Sequence, residues 1–115
     1  MTGSGPVEDD AGKADLGTVF RALADEHRRT VIAELAADVS DRERTCNSFA
    51  LPVSKQTQTH HFRVLREAGL IHEINYGNRK GIRLRRAEIN RWLPGLLDLL
   101  TAERRDAGAD GGTGM

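Results

Sequence analysis

The stretch SKQTQTHHFRVLREAGLI, residues 54–71, decides how the rest of the chain is read. It opens on Ser54, a residue type whose hydroxyl accepts from the unpaired N–H groups of a first helical turn. It closes at Gly69, the residue type that most readily takes the left-handed conformation at a helix end. The interval predicts a helix over 54–68. One face carries His61, Phe62, Leu65 and Ala68, with Gln58 partly turned toward it. The other carries Gln56, Thr59, His60 and Arg63, spaced i, i+3, i+4 and i+7. No acid appears on this helix before Glu67.

Elements on either side give that helix a context. Downstream, Ile71 to Asn75 and Ile82 to Arg85 flank the polar run YGNRKG, 76–81, which predicts a β-hairpin with Gly77 and Gly81 permitting a tight turn. Upstream, Leu16, Val19, Phe20 and Leu23 form one apolar helical face. Asp25 is placed to cap a second helix bearing Val31, Ile32 and Leu35 and ending near Ala37. Residues 40–53 are harder to read. Ser40 and Glu43 have capping-box spacing, Pro52 closes the segment, and a short helix or turn anchored by Phe49, Leu51 and Val53 is expected. Ile89, Trp92, Leu93, Leu96, Leu97 and Leu100 mark a C-terminal apolar helix, restarted with Pro94 near its first turn. This order implies a mainly α domain with a two-stranded β-wing, a winged helix-turn-helix, over residues 14–103. The Gly- and acid-rich residues 1–13 and the stretch 104–115 are expected to be disordered tails.

Composition narrows the class. A chain of 115 residues, 38% hydrophobic and only 4% aromatic, has room for one thin core of Leu, Ile, Val and Ala, which association through an apolar helix face would supplement. The formal net charge is zero, but residues 51–86 carry eight Lys or Arg against two acids, while residues 1–50 carry six against ten. A basic middle in a neutral chain is the footprint of a polyanion-binding surface; on charge alone, an uneven solvated face is the alternative. The single cysteine, Cys46, excludes an internal disulfide. There is no apolar run near the ~20 residues that span a bilayer, and the acidic N-terminus lacks the apolar core of a secretory signal. A cytoplasmic protein with no membrane partner is expected.

The acid-free face of 54–68 offers amide, hydroxyl, imidazole and guanidinium groups. Gln pairs bidentately with adenine and Arg with guanine, each pairing discriminating by about 1–3 kcal/mol. Double-stranded DNA is therefore the expected partner. Ser54, Lys55, Gln56, Thr57, Thr59, His60 and Arg63 are the candidate contacts on the helix, whose N-terminal turn also attracts phosphate. Asn78, Arg79 and Lys80 at the hairpin tip are candidates for the minor groove or backbone. An ordinary amphipathic surface helix and a charged, solubilising hairpin are the alternatives.

LADEHRRTVIAEL at 23–35, followed by SKQTQTHHFRVLREAGLI at 54–71, resembles the ArsR family of bacterial winged-helix repressors, over roughly residues 14–103. The resemblance implies a homodimeric repressor with recognition helix 54–68 and wing 72–85. It also implies base contacts at Gln56, Thr57, Thr59, His60 and Arg63, and a dimer interface that pairs the first and last helices. The interface candidates are Leu16, Val19, Phe20, Leu23, Trp92, Leu93, Leu96, Leu97 and Leu100. The chain departs from the family where TCNSFAL, 45–51, replaces a regular helix. Metal-sensing branches carry Cys pairs there or Asp/His pairs on the last helix; here Cys46 is alone and 87–103 contain no His. No effector, metal or cofactor site carries over.

Other classes leave weaker marks. His60 and His61 are neighbours on a helix, about 100° apart, whereas chelating helical pairs sit at i, i+4. His61 is expected to pack inward with a satisfied hydrogen bond and His60 to face DNA. Only Arg44 lies near Cys46 to activate it, so a small core residue is the expectation. Scattered acids without a nucleophile or phosphate loop argue against an enzyme. The alternatives are a winged-helix protein-interaction module, which would not need an acid-free polar face, and a metal-responsive repressor with a non-standard site.

Overall fold

The computed structural model describes the backbone of residues 15–113 and side chains as far as Asp106. The expected N-terminal tail, 1–13, lies outside the described residues. Two capped helices open the fold. Asp15 accepts from the Thr18 N–H at 2.9 Å and starts α1, Leu16–Ala22. Asp25 accepts from the N–H groups of His27 and Arg28 and starts α2, Glu26–Ala37. A two-residue strand β1, Arg44–Thr45, and a 3-10 helix, Cys46–Phe49, lead to α3, Lys55–Glu67. Ser54 caps α3 by accepting from Thr57 N–H at 3.1 Å. Gly69, at φ 82°, ends it, with the Leu70 N–H turned back to the Leu65 carbonyl at 3.1 Å. Strands β2, Ile71–Asn75, and β3, Lys80–Leu84, precede α4, Arg86–Trp92, and α5, Leu96–Thr113. No helix among the described residues is long and apolar enough to cross a membrane.

Four expectations are corrected by this architecture. The sheet has three antiparallel strands in the order β1-β3-β2, because Arg44 and Thr45 pair with Ile82 and Gly81. The Ser40–Glu43 capping box does not form: Ser40 donates its hydroxyl to Asp38 at 2.6 Å, and the backbone runs extended onto the open edge of β3. Gly81 lies within β3 rather than in the turn, which Tyr76 N–H closes on the Arg79 carbonyl at 2.9 Å. A Cβ at Gly81 would overlap the Glu43 carboxylate, so glycine is there for close approach. Pro94 falls in the break between α4 and α5, where Gly95 at φ 92° makes the turn. Helix α5 runs on to Thr113, and Glu103 and Arg104 dock it on α2 through Arg29 and Glu34, at 3.0 and 3.6 Å.

The core is aliphatic. Val19, Ile32, Leu65, Leu70, Ile71, Ile82 and Ile89 are fully buried, and α2 packs against α3 and α5. Burial also sorts the expected interface residues. Val19, Leu23, Leu97 and Leu100 are buried in the chain's own core, so they have no surface to offer a partner. Trp92, Leu93 and Leu96 are partly covered, whereas Leu16 and Phe20 are exposed. Leu99, absent from the sequence expectation, is 67% exposed. The leucine run of α5 thus has two sides, 97 and 100 facing in, 99 facing out.

Candidate nucleic-acid interface

Helix α3 is held from behind, and its candidate face is left open. Phe62 and Leu65 enter the core, Phe62 stacking on Phe49 at 5.5 Å between ring centroids. Gln58 donates to Asn47 Oδ1 at 3.0 Å, tying α3 to the 3-10 helix. Ser54, Lys55, Gln56, Thr57, Thr59, His60 and Arg63 are all exposed. Among the described residues, the side chains of Lys55, Gln56, Thr59, His60 and Arg63 make no hydrogen bond or ion pair, while Ser54 donates to the Thr57 hydroxyl at 3.0 Å. The one acid on α3, Glu67, sits at the far end beside Arg66.

His60 and His61 part as expected, one outward and one inward. Arg28 Nη1 lies 2.9 Å from His61 Nδ1, but His61 Nε2 is buried with no hydrogen-bond partner, so only half of the expected satisfaction is met. Among the described residues no three His, Cys, Asp or Glu groups cluster as metal ligands would. Burial, the largest effect, pushes the half-buried Cys46 thiol up, away from the reactive thiolate.

The wing presents Asn78, Arg79 and Lys80 to solvent on a tip braced from outside. Tyr76 donates its hydroxyl to Glu43 Oε1 at 2.9 Å, which holds the phenol above its usual pKa, and the Arg79 guanidinium lies 4.1 Å over the Tyr76 ring. Lys80 Nζ stands 3.9 Å from Glu73, which also accepts from Arg66, so its charge is partly offset. Sequence reading gave Glu43 only a capping role with Ser40, and gave Tyr76 and Glu73 none at the wing. An aromatic residue three before a tip arginine was the one available signal, for the other partners lie on separate elements. Arg83, exposed across from His72, adds a cation to the wing. A reading helix with an open polar face and a basic wing is the geometry of a protein that grips duplex DNA.

No family model matches the chain. It is 36% identical over 84 residues to YceK of Bacillus subtilis (strain 168), an uncharacterized HTH-type transcriptional regulator, covering 71% of this chain and 82% of that one. Its fold matches an ArsR-like transcriptional regulator from Rhodococcus sp. RHA1 with a TM-score of 0.55 and 30% identity, over 84% of this chain and 90% of the other. The chain belongs to the ArsR family. It is a DNA-binding transcriptional regulator of the winged helix-turn-helix type, in which α3 is followed directly by the β2–β3 hairpin. Ahead of α3, where the resemblance implied a regular helix, the chain has the 3-10 helix and the left-handed Ala50, at φ 52°.

Proposed function

We propose that this ArsR-family regulator acts as a homodimeric repressor, placing two α3 helices in successive major grooves of a pseudo-palindromic operator about 34 Å apart. The observation that carries this reading is the unengaged, acid-free face Gln56, Thr59, His60 and Arg63. Gln56 and Arg63 supply bidentate pairing to adenine and guanine, with Thr57, Thr59 and His60 completing the set. Ser54 and Lys55 meet phosphate at the N-terminal turn. Exposed Leu16, Phe20 and Leu99, with the partly covered Trp92, Leu93 and Leu96, offer apolar area to a second copy. Occupying a promoter would exclude polymerase.

Selection of bound sequences from a random duplex pool tests the reading, with recovery of an inverted repeat expected. Arg63→Ala and His60→Ala should each lose about 1–3 kcal/mol of discrimination at one position of each half-site. Wild-type binding and preference by both variants would take base reading off α3. The wing should behave differently. Arg79→Ala weakens binding to every sequence and lowers the slope of log affinity against log salt by about 1. Lys80→Ala lowers it less, because Glu73 already offsets that charge. A salt titration of each variant measures both slopes.

A further inference from the structure

One guanidinium joins three helices behind the recognition face. Arg28, in the first turn of α2, directs Nε to the Ala22 carbonyl at the end of α1, at 2.6 Å, and Nη1 to His61 Nδ1 on α3, at 2.9 Å. Ala22 is the last residue of α1, so its carbonyl has no continuing helix to accept from. A guanidinium can only donate, so Nδ1 of His61 holds a lone pair and the neutral ring carries its proton on Nε2. His61 is 4% exposed. Its Nε2 finds no acceptor; Asp25 Oδ1 is 3.9 Å away and already accepts from the N–H groups of His27 and Arg28.

We propose that Arg28 is a positioning residue for the recognition helix, locking α3 to the end of α1 through a neutral His61, and that a proton on His61 opens the lock. Protonation would turn Nδ1 from acceptor to donor and set an imidazolium against the guanidinium. The inference rests on the assignment of α3 as the reading helix. It makes α1, the helix with exposed Leu16 and Phe20, mechanically continuous with α3.

The groups that face His61 are Asp25, Arg28 and His27 on α2 and His60 on its own helix. Burial does most to hold the imidazole below its ordinary value. Asp25 opposes this, while Arg28, His27 and His60 reinforce it. Since the locked state disfavours the proton, its stability is fully present above about pH 6.5 and is lost as pH falls from there through the lowered value.

The test uses the full chain and the strongest duplex recovered by the selection above, at fixed ionic strength. His61→Gln keeps an acceptor for Arg28 but has no proton to gain. The ratio of wild-type to His61→Gln affinity is expected to fall as pH drops below about 6.5 and His61 takes up its proton, by up to about tenfold per unit. The half-buried His27 and the exposed His60 and His72 are present in both proteins. Imidazole nitrogen NMR of the free wild type should show the Nε2–H tautomer, titrating below about 6.5. Arg28→Ala should weaken binding at pH 7.5 and raise the His61 titration. A constant ratio while His61 titrates, or an Nδ1–H tautomer, would overturn the lock. If no duplex binds at pH 7.5, it is the assignment of α3 that fails. The lock is then decided by amide protection factors in α3, which should drop at pH 5.5 in wild type but not in His61→Gln.

Discussion

Leu97→Asp should strongly destabilise this regulator, whereas Leu99→Asp should leave it folded and break only the proposed dimer. The two positions lie two residues apart on α5 with opposite surroundings, 5% and 67% exposed. Leu97 belongs to the cluster that α2 and α5 bury between them. Removing its side chain costs about 2–5 kcal/mol as a cavity, and an aspartate adds a carboxylate with no cation assigned to it. Against a typical total of about 5–15 kcal/mol for a domain, a loss of at least about 4 kcal/mol removes a large share of the stability. Melting should fall by about 20 °C or more, read by circular dichroism. At Leu99 the new charge meets water in the isolated chain and meets apolar area only in the proposed dimer. Sedimentation of Leu99→Asp should show a folded monomer with a melting curve displaced only by the lost association. A Leu97→Asp protein that melts like wild type would place position 97 outside the core.

That pair shows where sequence signals stop. An i, i+3, i+4 pattern marks a helix as apolar, but it cannot say which of two leucine rows meets the chain and which meets a partner. Val19 and Phe20 pose the same ambiguity on α1 and resolve to opposite sides. Signals confined to one turn were legible: the Ser54 cap, the Gly69 stop, the Asp25 cap and the open polar face of α3. Features set by distant partners were not. Strand β1 exists because Arg44 and Thr45 find β3, some forty residues on, and nothing local in SDRERT favours an extended pair. Gly81 looks like a turn residue until Glu43 is seen over it. His61 was legible as inward-facing by period, but its guanidinium partner comes from a helix 33 residues earlier.

Arg86→Ala should cost about 2–3 kcal/mol, the largest loss expected from any single polar side chain here. Its guanidinium receives no sequence signal beyond being one of two adjacent arginines, yet it closes the far end of α2. Nε and Nη2 grip the Asp41 carboxylate at 2.8 to 3.0 Å. Nη2 also donates to the carbonyls of Ala36 at 2.9 Å and Asp38 at 3.1 Å. Those carbonyls belong to the last turn of a helix and its cap, where four acceptors lack partners and a cation is favoured. Asp41 is held at φ 52°, a left-handed conformation that costs a non-glycine residue about 1–2 kcal/mol and is kept by that grip. Both side chains of the pair are roughly 30% exposed, at 28% and 30%, so water replaces part of what is lost and the full value of a buried ion pair does not apply. Arg86→Lys should recover little, since a single ammonium cannot span a carboxylate and two carbonyls in one plane. Urea unfolding of Arg86→Ala, Asp41→Ala and the double variant should give a coupling above about 1 kcal/mol. Additive effects, or an Arg86→Ala loss below about 0.5 kcal/mol, would mean that this arginine merely rests on the helix end.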